Sequence, residues 1–390
     1  MAFPIGHGVA DRGVVRGRHA PLNPGQGTAP PKGLRSMAMH LNRQAAEIVK
    51  RALAAAGDLG ITTHTTPDGV RVIDCGVKAP GGEAAGLVLA EAALAGLGEV
   101  WVESPGMPPR AGGVIAAGDP WQGRCPWKIV AVSSDQPVAA CLGSQYAGWK
   151  VAVGKYFAMA SGPIRAAIGR EDLYQSIGLR ERPPVAVGLL ESSTLPPDNV
   201  CRQLADEAGV SPKQLLLLVA RTSSPAGTLQ VIARSLETAL HKLHDLHFDL
   251  ARIRRGAGRA PLAPLPDPPN DLTAIGRTND AILYGGHVVL EVSGDDASLA
   301  VVAERMISRA SASYGQPFSR LFEQAGHDFY KLDPALFAPA SVELFNLDTG
   351  TRHCAGGIAP EVLRESFGAT STVDHAASTG GSTTAPDRED

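Results

Sequence analysis

The chain has 390 residues, 44% of them hydrophobic and 19% charged, with a formal net charge of -3. That length suits about two domains of roughly 100–200 residues each, and the near-neutral balance argues against nucleic acid or an acidic membrane surface as the main partner. No apolar run reaches the ~18–20 residues of a membrane span, so no membrane partner is expected.

The N-terminus, MAFPIGHGVADRGVVRGRHA, lacks the continuous apolar core of a secretory signal. Cys75, Cys125, Cys141, Cys201 and Cys354 are odd in number and form no CxxC. They read as free thiols in a reducing cytoplasm. Residues 1–35, rich in Gly, Pro and Arg without periodicity, read as a mobile extension. Asn42 is placed to cap a helix running to about Ala56, with the stripe Ala45, Ile48, Val49, Ala52 and Leu53 and a stop at Gly57. Val70–Asp74 reads as a strand, about 83–95 as an Ala/Leu helix, and Glu99–Val102 and Lys128–Val132 as further strands.

Cys141–Trp149, CLGSQYAGW, mixes small residues with side chains that stack and hydrogen-bond. It suits a pocket lining or a tightly packed turn. Ser161-Gly162-Pro163 suits a helix start, either a plain cap or one whose free N–H groups meet an anion. Pro183–Glu191 reads as a buried strand ending in an acid, 197–208 as a helix stopped by Gly209, and Leu215–Ala220 as an apolar strand.

The chain is organised around Pro225–Asp249. Leu229, Ile232, Leu236, Leu240 and Leu243 recur at spacings of 3 and 4, one buried helical stripe. Arg234, Glu237 and His241 stand opposite at the same spacings, neighbours on a helix surface. The face is either solvated, with an ordinary intrahelical pair, or an active-site wall with a carboxylate to move a proton and a guanidinium to orient it.

Gly256–Asp271 reads as a long exposed loop. Ile275–Asp280, a polar cluster beside the strand His287–Val292, suits a ligand site or a hydrogen-bonded turn. About 295–307 reads as a helix and Ser341–Phe345 as a strand. Aromatics, charges and turn formers gather at 314–318 and 327–334, and 369–390 reads as a disordered tail. Irregular alternation of strands and helices predicts a mixed α/β or α+β protein.

There is no P-loop, no GxSxG elbow and no strand–GxGxxG–helix fingerprint. The nearest metal-like pattern is His241, His244 and His247 with Asp245 and Asp249. A spacing of 6 swings the third imidazole away by about 120–130° unless the helix has ended, and a His-rich helix end also suits the macrodipole.

CLGSQYAGW (141–149), SGP (161–163), QVIARSLETALHKL (230–243), GRTNDAILYGG (276–286), YGQPF (314–318) and DFYKLDPALFAPA (328–340), in this order and spacing, resemble the methenyltetrahydromethanopterin cyclohydrolase family. The resemblance spans about residues 36–368. It implies a catalytic unit of two α+β lobes with a pterin cleft between them, commonly a homotrimer, with no metal and no prosthetic group. The implied reaction is reversible hydrolysis of the 5,10-methenyl bridge of tetrahydromethanopterin, or its dephospho form, to the 5-formyl product. Formaldehyde oxidation is the expected setting and a metal-dependent hydrolase or a non-catalytic pterin-binding protein the alternative.

The family's catalytic Arg and Glu, three residues apart, carry over to Arg234 and Glu237. The matching segments nominate Ser144, Gln145, Tyr146, Ser161, Gly162, Arg277, Thr278, Asn279, Asp280, Tyr330 and Lys331 for substrate binding. The sole expected ligand is the small-molecule pterin.

Overall fold

Two six-stranded sheets carry the chain in a computed structural model that describes residues 40–106, 120–146 and 148–368. The extension expected over 1–35 and the tail expected over 369–390 lie outside the described residues. The first sheet runs β1 (Thr62–Thr65), β2 (Arg71–Asp74), β8 (Leu215–Ala220), β7 (Ala186–Glu191), β6 (Tyr156–Ser161), β5 (Trp149–Val153). Its centre, β2–β8–β7, is parallel and the outer pairings are antiparallel.

The sequences of β7 and β8, AVGLLE and LLLLVA, explain that placement. Near-continuous apolar runs suit parallel strands covered on both faces. On one face Ala186, Leu190, Leu215 and Leu217 pack with Val200 and Leu204 of α6 (Asp198–Ala208). On the other, Val187, Leu189 and Leu218 pack with Ala45 and Val49 of α1 (Leu41–Ala54) and Leu89 of α3 (Glu83–Ala93).

The second sheet runs β12 (Arg352–Gly356), β11 (Ser341–Asn346), β10 (His287–Val292), β9 (Ile253–Pro261), β4 (Ile129–Ser134), β3 (Glu99–Glu103). Only β10 and β11 pair in parallel. Two mixed sheets with helices against them make this an α+β protein.

Three expectations are corrected. The loop expected from Gly256 is instead the strand β9, buried from Gly256 to Pro261 between β4 and β10. Its glycines admit a helix: a Cβ on Gly258 would lie 2.4 Å from the Ser235 hydroxyl and 2.7 Å from the Leu236 nitrogen. Turn propensity yields here to close approach of a helix and a strand. Second, the helix expected over 225–249 is two helices, α7 (Pro225–Ile232) and α8 (Ser235–Asp245), with Ala233 and Arg234 between them. Third, Asn42 is inside α1 rather than capping it. Its side chain donates to the Pro163 carbonyl at 2.7 Å and to Glu181 at 2.7 Å, and accepts from the Val187 nitrogen at 2.9 Å. A buried amide with every contact to distant chain is a brace rather than a cap.

Candidate active site

The break between α7 and α8 organises the site. Pro225 at the first helical position and Ser224, accepting from the Gly227 nitrogen at 3.0 Å, start α7 just beyond the carboxyl end of β8. The helix ends where the Arg234 nitrogen bonds back only three residues, to Val231. The Gln145 side-chain amide reaches the Ala233 carbonyl there at 3.4 Å.

Arg234 is wholly buried. Its guanidinium donates to the Gln145 carbonyl (3.1 Å), the Ser161 hydroxyl (2.9 Å), the Glu191 carboxylate (3.0 Å) and the Gln230 side-chain oxygen (3.2 Å). Four segments are tied to one cation, whose ion pair is with Glu191. Of the two readings of this face, the solvated one is therefore excluded.

Glu237, in the first turn of α8, is 0% exposed, and its Oε1 lies 4.0 Å from His241 Nδ1. His241 Nε2 bonds the Tyr146 hydroxyl at 3.1 Å and lies 3.6 Å from Asp245. Burial pushes the imidazole down to about 4, against the pull of Asp245, so His241 is neutral at pH 7. Tyr146 is also buried, beneath the Arg165 guanidinium at 4.3 Å, and burial raises its phenol. Tyr146 follows the π-helix Val138–Gln145, every residue of which is buried. Such wide turns recur at functional sites.

A cavity of about 410 Å³ adjoins this network. Phe157, Met159, Val231, Ile275, Phe322 and Phe329 supply its apolar wall, and Glu191, Thr222, Thr278 and Asn279 its polar groups. That volume and mixture suit a flat heterocycle. Glu191 belongs both to the wall and to the Arg234 network.

The nominated residues divide. Gln145 and Ser161 gather on Arg234, Tyr146 and Glu237 gather on His241, the two buried groups meeting at Gln145–Tyr146, and Thr278 and Asn279 lie on the cavity wall. Ser144 donates to the Ala93 carbonyl at 2.5 Å. Ser161 ends β6, and the cap of α4 (Ile164–Ile168) is Pro163. Gly162 has φ +91, and a Cβ there would meet the Leu189 side chain at 2.6 Å.

Residues 277–280 sit on α9 (Asp271–Leu283), not in a turn. Arg277 lines an adjoining cavity of about 220 Å³ and donates to the Ser366 and Pro264 carbonyls. The Asp280 carboxylate accepts from the Phe318 nitrogen (2.8 Å) and the Ser366 hydroxyl (2.6 Å), holding α9 to α11 (Phe318–Gln324) and α12 (Pro360–Phe367). Tyr330 and Lys331 are exposed, beside the wall residue Phe329. His244 bonds the Ser176 hydroxyl at 3.2 Å. Among the described residues no group of three His, Cys, Asp or Glu is placed to hold a metal ion.

Sequence reasoning left out Glu191, Gln230, Phe157 and Met159. Glu191 had a signal: an acid closing a buried strand, at the carboxyl end where sheets of this kind gather ligands. Gln230 had one too, an amide inside an apolar stripe one turn before Arg234.

Residues 40–367 match the model of a family described as cyclohydrolase (MCH). Methenyltetrahydromethanopterin cyclohydrolase of Methylobacillus flagellatus is 41% identical over 84% of this chain and 95% of its own length. The protein of the same name from Xanthobacter autotrophicus is 42% identical over 83% and 91%. That from Methanothermobacter marburgensis is 38% identical over 84% and 99%.

Proposed function

The chain belongs to the methenyltetrahydromethanopterin cyclohydrolase family, and on that premise we propose how its residues hydrolyse the 5,10-methenyl bridge to the 5-formyl product. The methenyl carbon lies between two nitrogens and carries delocalised positive charge, so it is electrophilic as it stands. Water attacks it and gives one proton to Glu237. The tetrahedral adduct collapses, the bond to the second nitrogen breaks, and Glu237 returns the proton to that nitrogen. The freed Glu237 carboxylate then takes the adduct's hydroxyl proton as the formyl C=O forms, and must lose it before the next turnover. A cationic substrate thus becomes a neutral product, with one proton released per turnover.

Arg234 acts from behind. Its bond to Glu191 keeps the guanidinium charge directed at a carboxylate rather than at the cationic substrate, and its bonds to Gln145 and Ser161 fix the surrounding walls. The pterin lies against Phe157 and Phe329, with Thr278 and Asn279 meeting its polar edge. The observation that carries this reading is the buried Arg234–Glu191 pair, which joins the Arg-x-x-Glu turn to the wall of a cavity of pterin size.

A second assignment makes Glu191 the base, favoured by its place on the cavity wall itself. Loss of the methenyl chromophore, followed by absorbance with methenyl-tetrahydromethanopterin and its folate analogue, tests both. Glu237→Gln should fold, bind pterin and lose a factor on the order of 10²–10⁴ in turnover. Glu191→Gln should lose far less. The reverse ranking assigns the base to Glu191, and turnover of the folate alone contradicts the substrate.

The wider setting follows the same reading. The catalytic unit works as two lobes with the pterin in the cleft between them, in a homotrimer, without a prosthetic group, in the cytoplasm of a formaldehyde-oxidising bacterium that uses the dephospho pterin. No described helix is long and apolar enough to cross a membrane.

A further inference from the structure

One proton must leave the site in every turnover, and Glu237, with 0% exposure, has no direct way to release it to solvent. We infer that His241 is a positioning residue that passes this proton from Glu237 to Asp245, at the far end of α8. The inference rests on Glu237 being the base.

The geometry is a line along one helix face. Glu237, His241 and Asp245 are spaced four residues apart and so stack one above another. Glu237 Oε1 is 4.0 Å from one imidazole nitrogen, and Asp245 Oδ1 is 3.6 Å from the other. The line begins at a side chain with 0% exposure and ends at one with 48%. These gaps exceed a direct hydrogen bond, so a transfer needs a small rotation of the ring or one bridging water. Rotation has a built axis: the Tyr146 hydroxyl holds Nε2 at 3.1 Å, and the Tyr146 ring packs edge-on to the imidazole at 4.8 Å between centroids.

The charged and titratable groups around His241 fit the task. Asp245 favours a passing imidazolium, and His244, Lys242 and Arg165 oppose its persistence. Burial is the largest influence and opposes the imidazolium more than any of these neighbours. The same line runs in reverse for the formyl-to-methenyl direction, which consumes a proton.

The test uses the full chain and the methenyl absorbance assay. His241→Ala should lower kcat on the order of tenfold, short of the ~10²–10⁴ of losing the base itself, with KM within about twofold and an increased solvent deuterium isotope effect. Added imidazole should restore kcat saturably. Thiazole, which fills the same space but is not protonated at neutral pH, should not. Asp245→Asn, at a half-exposed position where folding is not at stake, should lower kcat in the same direction with a raised isotope effect. Equal rescue by thiazole, or no rescue by imidazole, overturns the relay, as does wild-type kcat and isotope effect in Asp245→Asn. Those results leave the reaction assignment standing, whereas a wild-type protein that leaves the methenyl chromophore intact overturns the assignment, and the relay with it.

Discussion

Gly258→Ala tests whether α8 is held in place by a strand rather than by its own apolar stripe. Gly258 sits in mid-sheet, opposite Val288 on one side and Val132 on the other, so β9 has no room to retreat. The added methyl would lie 2.7 Å from the Leu236 nitrogen, 3.2 Å from its Cα and 2.4 Å from the Ser235 hydroxyl, where ordinary contact begins at 3.4 Å. The serine hydroxyl has other rotamers, but the Leu236 backbone does not. The first turn of α8 must therefore lift by about 0.7 Å, the gap between 2.7 and 3.4 Å. Overpacking of this kind costs about 1–3 kcal/mol. The larger effect falls on turnover. Glu237 is one residue beyond Leu236, and a displacement near 1 Å at a reacting group costs on the order of 10²-fold. Urea unfolding and the methenyl absorbance assay, run beside Gly57→Ala, check both. A Cβ on Gly57 would meet no atom within 4 Å, so its variant should match or slightly exceed wild type, by at most about 1 kcal/mol. If Gly258→Ala equals Gly57→Ala in midpoint and in kcat, close approach of β9 does not hold α8 in place.

Arg234→Met should lower stability by about 3–5 kcal/mol, because it breaks the buried Arg234–Glu191 ion pair; an unchanged urea midpoint refutes it. Asn279→Ala should raise KM several-fold with little change in kcat if the amide meets the bound pterin, and a pure kcat loss by the same assay speaks against that placement. Burial raises the Asp280 carboxyl to about 7, well above its usual 3.8. A group raised in the folded state contributes stability that is fully present below the unfolded value and lost as pH rises through the folded one. The wild-type urea midpoint should thus fall between about pH 4 and 7 on this group's account, and Asp280→Asn should flatten that fall. An identical pH profile in the two proteins would remove Asp280 as its cause.

The legible parts of the sequence were those whose partners lie nearby in the chain. Leu229, Ile232, Leu236, Leu240 and Leu243 are all fully buried, as their spacing implied, and β7, β8 and α6 fall where apolar runs and a terminal glycine put them. What failed depended on distant chain. Gly256 and Gly258 looked like loop residues because the helix that needs their bareness is a separate element. Spacing alone left the face of Arg234 and Glu237 open between solvent and site, because the groups that hold Arg234, Gln145 and Glu191, come from 89 and 43 residues away. The break at Ala233–Arg234 is invisible to periodicity, since the stripe continues in step across it. Phe157 and Met159 were hidden in β6 because they are the outward alternates of a strand that is apolar on both faces, so no alternation marked them.

The order of strands in the two sheets bears on how this chain comes off the ribosome. The chain contributes β1 and β2 to one sheet, β3 and β4 to the other, returns for β5 to β8, and only then completes the second with β9 to β12. Neither sheet is a continuous stretch of sequence. The first closes once Ala220 has emerged, but the β3–β4 hairpin, with Val130, Ala131 and Val132 wholly buried in the finished protein, still lacks its neighbour β9. The wait from Ser134 to Ile253 is roughly 120 residues, about 6–24 s of synthesis at ~5–20 residues per second. Throughout that interval a growing polypeptide carries a bare apolar edge, which makes the nascent chain, rather than the finished enzyme, the stage at which a chaperone has something to hold.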